Sequence, residues 1–220
     1  MKIAAQRPAP RLLAWTCAVG LLGALSGHAG AQTFGGGAGF GIPDNNAAGA
    51  SSTIAVGSTD VITSFNSVTI FGFTHTWTGD LVATLSNGTT TVDLLDRVGR
   101  TANTGFGSSG DLSGTYTFSM SGSLFPTSGN VAPGTYQPFP NGTGGEMSPF
   151  NGSLASFVGS VLAGNWTLNI SDRAAGDVGA ITGWEFNVTA VPEPATWGLF
   201  GLGVSLLPWV AARRRRARGA

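Results

Sequence analysis

The side chains in this sequence that could carry chemistry are few, and their spacing narrows the choices. His75 is the one imidazole beyond the N-terminal stretch, and Asp80 follows it five residues on. A hydrolase built on this pair would need a serine nucleophile, a histidine base and an orienting acid, an arrangement defined by geometry. No Gly-x-Ser-x-Gly elbow accompanies them. His75 therefore reads as a structural residue beside a strand, and no catalytic residue is assigned. Asp44, Asp172 and Asp177, with Asn45 and the carbonyls of glycine-rich turns, offer the hard oxygen ligands that Ca²⁺ collects in sets of about six to eight. In the loop Asp172 to Gly179 two carboxylates stand five residues apart across a turn. The same aspartates also serve as Asx-turn caps of backbone N–H groups, so calcium is the one candidate ion and no cofactor is firmly assigned. Cys17 is the single cysteine, which excludes a disulfide framework, and one histidine without cysteine suits zinc poorly.

Short strands must position these groups. Trp166, Leu168 and Ile170 alternate with Thr167 and Asn169, and Trp184, Phe186 and Val188 alternate with Glu185, Asn187 and Thr189. Each is a period-two pattern with one buried face. Weaker runs lie at 67–74, 81–85, 91–95 and 116–120, separated by turns such as Ser86-Asn87-Gly88. Glycine accounts for 35 of 220 residues while 42% are hydrophobic. That combination is rich in turns yet supplies a core, and with no sustained helical period in the body it predicts an all-β jelly-roll sandwich. Trp77, Trp166 and Trp184 are the expected core anchors. Residues 33–41 are nearly all Gly, Ala and Phe and read as a flexible leader, which places one domain of ordinary size over residues 42–190.

The formal charge is zero, with 11 basic and 11 acidic residues, but the balance is uneven along the chain. Residues 1–31 carry Lys2, Arg7 and Arg11 and no acid, whereas residues 32–191 carry ten acids against Arg97, Arg100 and Arg173. Five arginines then close the chain. The acidic body has no clustered cations to neutralise phosphates, so nucleic acid is excluded as a partner.

The basic ends are addresses. Residues 1–31 form a secretory signal helix, with a charged start, the apolar run Leu12 to Leu25, and an Ala29-Gly30-Ala31 cleavage site that leaves Gln32 as the new N-terminus. The expected partners are the export machinery and signal peptidase. At the other end, residues 191–220, Pro192-Glu193-Pro194 precedes a mostly apolar stretch over 195–212. Arg213, Arg214, Arg215 and Arg216 follow. Eighteen residues span about 27 Å as a helix, marginally enough for a bilayer core of about 30 Å. The arginines would hold the C-terminus in the cytoplasm.

These three parts in this order resemble the PEP-CTERM sorting signal of Gram-negative bacteria. The resemblance implies recognition by a membrane-embedded exosortase, processing near the motif, and an envelope rich in exopolysaccharide. A plain C-terminal anchor is the simpler alternative.

A second resemblance runs through residues 42–190. Ile42-Pro43-Asp44-Asn45, Val68-Thr69-Ile70, His75-Thr76-Trp77-Thr78-Gly79-Asp80-Leu81, Leu94-Leu95-Asp96-Arg97 and Gly164-Asn165-Trp166-Thr167-Leu168, with Ser171-Asp172 and Gly183-Trp184, are similar to the P/Homo B domain. That jelly roll follows the subtilisin-like catalytic domain of proprotein convertases and related bacterial proteases. Here no protease domain precedes it, so the family's proteolysis belongs to an absent neighbour. The resulting expectation is a non-enzymatic exported envelope protein in contact with exopolysaccharide. The alternative is an accessory to a separate subtilisin-like serine endopeptidase.

Overall fold

Alternation of apolar and polar residues drives this chain into strands that bury one face each. The computed structural model describes residues 28–100, 105–139 and 152–192. They contain β1 (Gly30–Ile42), β2 (Asn46–Val56), β3 (Val61–His75), β4 (Leu81–Ser86), β5 (Thr91–Asp96), β6 (Leu112–Ser123), β7 (Gly134–Tyr136), β8 (Gly164–Asp172) and β9 (Gly179–Val191). Two single 3-10 turns, Thr78–Asp80 and Leu154–Phe157, complete the regular structure. Among the described residues no helix is long and apolar enough to cross a membrane. The expected signal helix up to residue 27, and the segment from Glu193 through the apolar span to the arginines, lie outside the described residues.

The strands form two sheets in the orders β1-β9-β3-β6-β7 and β2-β8-β4-β5. Their pairing is nested. β4 pairs with β5, β3 with β6, β2 with β8 and β1 with β9, all antiparallel. This is one long hairpin rolled up so that successive pairs fall in opposite sheets, and it is the expected jelly roll. The short β7 adds a parallel strand outside β6.

Between the sheets, aromatic rings pack among a larger set of Val, Leu and Ile side chains. Trp166 and Trp184 are buried, as expected of core anchors. Trp166 lies 4.8 Å from Phe186 and 5.0 Å from Phe157, measured between ring centroids. A buried indole N–H needs an acceptor, and both have one: Trp166 donates to Leu162 O and Trp184 to Ser52 Oγ. Trp77 departs from expectation. It is absent from the buried core and only half-covered, because it sits in the turn after β3, where the alternating pattern has ended.

The stretch 33–41 also corrects the sequence reading. It is the body of β1, paired with β9 from Gly30↔Ala190 to Ile42↔Gly179, and the sandwich reaches back beyond Ile42. Glycine is a poor strand former alone, but a preformed neighbour supplies the ladder, and Phe34 stacks on Phe186 at 5.1 Å. Gly37 is required for contact. A Cβ there would overlap the Trp184 indole.

Candidate functional site

The strand directions collect the chemistry at one end of the sandwich. β1 ends and β2 begins around Asp44, β3 ends at His75, β4 starts after Asp80, β8 ends at Asp172, and β9 starts just beyond Asp177. Hydrogen bonds sew these loops together. Thr78 N–H donates to Gly110 O at 2.9 Å and Gly79 N–H to Ser108 O at 2.8 Å, while Trp77 Nε1 donates to Phe106 O at 3.0 Å. Arg97 Nε donates to Gly79 O at 2.6 Å, and its Nη2 reaches Asp80 Oδ1 at 3.4 Å. Thr76 Oγ1 donates to Asp177 Oδ1 at 2.7 Å. These ties hold the loops around an open groove of about 200 Å³, lined by Trp77, Asp80, Phe106, Ala174, Ala175 and Asp177.

The groove is acidic and aromatic. Burial pushes the Asp80 carboxyl up to about 6, against the pull of the Arg97 guanidinium, and the charges of Asp172 and Asp177 push the same way. Phe106 leaves its ring 68% exposed at the groove edge, an unusual position for a large apolar side chain between two glycines. Sequence reasoning missed it. The available signal was a lone phenylalanine inside a Gly/Ser run, where no strand could bury it.

His75 is placed as a structural residue would be. Its side chain and that of Asp172 are both fully buried, with Nε2 3.4 Å from Asp172 Oδ2. On the other side Nδ1 lies 3.1 Å from the Trp77 N–H and 2.9 Å from the Trp77 carbonyl. Asp172, rather than the Asp80 suggested by sequence proximity, is its carboxylate neighbour. A general base must come within hydrogen-bond reach of a substrate proton, and this ring is enclosed by protein.

The three candidate calcium ligands share this end of the molecule but are engaged separately. Asp44 Oδ1 accepts from Gly176 N–H, Asp172 Oδ1 from Ala174 N–H, and Asp177 Oδ1 from Thr76. The first two are caps of the loop after β8. Among the described residues no group of three or more His, Cys, Asp or Glu side chains is placed to hold a metal ion. Of the sorting residues, Pro192 is described directly after β9, at the other end of the sandwich, while Glu193, Pro194 and Arg213 to Arg216 lie outside the described residues. Ala31 and Gln32 of the cleavage site are in β1, and Ala29 immediately precedes it.

With this geometry in place, two comparisons bear on the molecule. Residues 190–216 match the model of the PEP-CTERM protein-sorting motif. That motif identifies an exported protein, made as a membrane-anchored precursor and sorted to the cell envelope by an exosortase-type system. Among solved structures, a chain from the crystal structure of the Aeromonas sobria serine protease (ASP) and chaperone (ORF2) complex is similar at 16% identity and a TM-score of 0.37. The match covers 74% of this chain and 26% of that one, so the present chain spans about a quarter of its length. No curated protein matches the sequence.

Proposed function

We propose that this protein is a non-enzymatic module of the cell envelope or extracellular matrix, a P/Homo B-like jelly roll that its C-terminal signal delivers and an exosortase then releases. One observation carries the reading: the described ends of the chain that lead to the two addresses, Gly30 and Pro192, lie at the opposite pole from the groove. Gly30 and Ala190 pair side by side at one end of the five-stranded sheet, whereas Ile42 and Gly179 pair at the other, next to the groove loops. Between Gly179 and Val191 the strand covers about 40 Å at roughly 3.3 Å per residue. A chain tethered through Pro192 therefore presents Trp77, Asp80, Phe106 and Asp177 away from its anchor. The groove is turned toward the surrounding matrix, where exopolysaccharide is the proposed partner.

Support for a non-catalytic role comes from His75, whose two ring nitrogens face Asp172 and the Trp77 backbone. The test is intact-mass analysis of material recovered from the cell surface. The expected species begins near Gln32 and lacks Arg213 to Arg216. A full-length C-terminus on that material would overturn the processing claim, and co-purification with a subtilisin-like protease would move the assignment to a protease accessory.

A further inference from the structure

We infer that the groove between Trp77 and Phe106 is a binding site for an amino sugar carrying a free amine, within a polysaccharide chain. The inference deepens the matrix role above and rests on it for the source of the ligand. Four features of the site converge on this chemistry.

First, size: about 200 Å³ accommodates a single sugar ring and excludes a folded partner's whole surface. Second, platform: Trp77 and Phe106 both line the groove and Phe106 is 68% exposed, so aromatic surface is available to the C–H face of a pyranose, and such rings also attract cations. Third, charge. Asp80 and Asp177 both line the groove, and the surrounding body carries ten acids against three arginines, so the field favours a cation. Fourth, acceptors: Asp80, buried in the groove wall, turns Oδ1 to Arg97, and Asp177 Oδ1 accepts from Thr76, while the second oxygen of each makes no hydrogen bond among the described residues. An ammonium has three donors and no acceptor, which suits two such oxygens. An N-acetyl group at the same position would replace that cation with a neutral amide and lose the charge-assisted bonds.

Asp80 is turned toward Arg97 as well as the groove, with Arg100, Asp172 and Asp177 as the other charges that it feels. Arg97 spends further donors on Gly79 O and Arg173 O, and so does not fill the groove itself.

The experiment uses the full chain purified in detergent and titrated with a glucosamine tetramer, its fully N-acetylated counterpart and tetralysine, read by tryptophan fluorescence and calorimetry. The glucosamine tetramer is expected to bind at least about tenfold more tightly than either control. Asp177→Asn should reduce that affinity about tenfold without moving the melting temperature, and Trp77→Ala should do the same where the variant folds. Equal affinity for the acetylated tetramer, tighter binding of tetralysine, or affinity unchanged by Asp177→Asn would each overturn the inference. Correct surface sorting and trimming alongside absent glucosamine binding would sink the ligand alone and leave the matrix role standing.

Discussion

Asp80 and His75 show how burial redirects residues whose types alone suggest catalysis. Five positions apart in sequence, they form no acid–base pair, because the turn between them carries Asp80 to Arg97 while His75 points inward to Asp172. Sequence proximity suggests Asp80 beside His75, whereas Asp172 is the carboxylate that lies there: period-two patterns locate strands, but which loops meet at a pole depends on the order in which strands are rolled. Asp44, His75, Asp80, Asp172 and Asp177 all arrive at one end, as their places at strand termini allow. Phe106 left only the weak signal of a lone ring in a Gly/Ser run, and Trp77 read as a core anchor, because the exposure of both is a property of loop packing. Asp80 gives this scale its prediction. Its folded-state value is raised to about 6 from 3.8, mainly by desolvation, so folding favours the neutral acid. The contribution is fully present below the unfolded value and lost as pH rises through about 6. Asp80→Asn retains the acceptor facing Arg97 and removes the buried charge. It should melt roughly 2–4 °C higher than the parent at pH 8, with the gap closing by pH 4 in calorimetry. A gap that is equal at both pH values would show that packing, and not ionisation, is responsible.

Among the elements, β8 and β9 were legible because each alternates tryptophan and other apolar residues with polar ones and lies inside its sheet, with a neighbour on both sides. β1 was not. Its 13 residues include Gly35, Gly36, Gly37, Gly39 and Gly41, and a register shift between Phe34 and Gly37 breaks the period that Phe34 and Phe40 would otherwise share. β2 hid for a related reason, since large apolar residues appear only toward its end, at Ile54 and Val56. In both cases neighbouring strands, β9 and β8, supply the order that local propensity lacks. The distinction between leader and strand is testable. Deleting residues 33–41 would be silent for a leader, but here it removes the partner of β9 and uncovers Phe186, so the protein should aggregate or lose its cooperative melting transition. A point change does the same by another route. Gly37→Val drives a branched side chain into Trp184 and should cost about 1–3 kcal/mol, read as a lowered midpoint in urea. A deletion variant with unchanged melting would refute the structural role of β1.

At the scale of the molecule, the two poles give the uneven charge distribution its meaning. The neutral sum of 11 basic and 11 acidic residues belongs to the precursor, in which eight of the cations lie in the two terminal segments. Removal of residues 1–31 and of everything from Pro192 leaves ten acids against three arginines, a body of charge −7. Trimming is thus readable as charge. Material released from the surface should bind an anion exchanger at pH 7, while a form that has lost only the signal, at −3, should elute at lower salt. This separates two readings of the C-terminus. If an exosortase recognises Pro192-Glu193-Pro194, replacing all three by alanine leaves the apolar stretch and the arginines in place but blocks trimming, so the early-eluting, membrane-bound form should accumulate. If the apolar stretch alone is read, the triple variant should still yield the late-eluting body. Pro192 also stands directly after β9, which ends at Val191, and it cannot donate to a continuing ladder. A melting curve of the triple variant that overlays the parent would show that the sandwich is intact, and that any change in elution reports recognition of the motif.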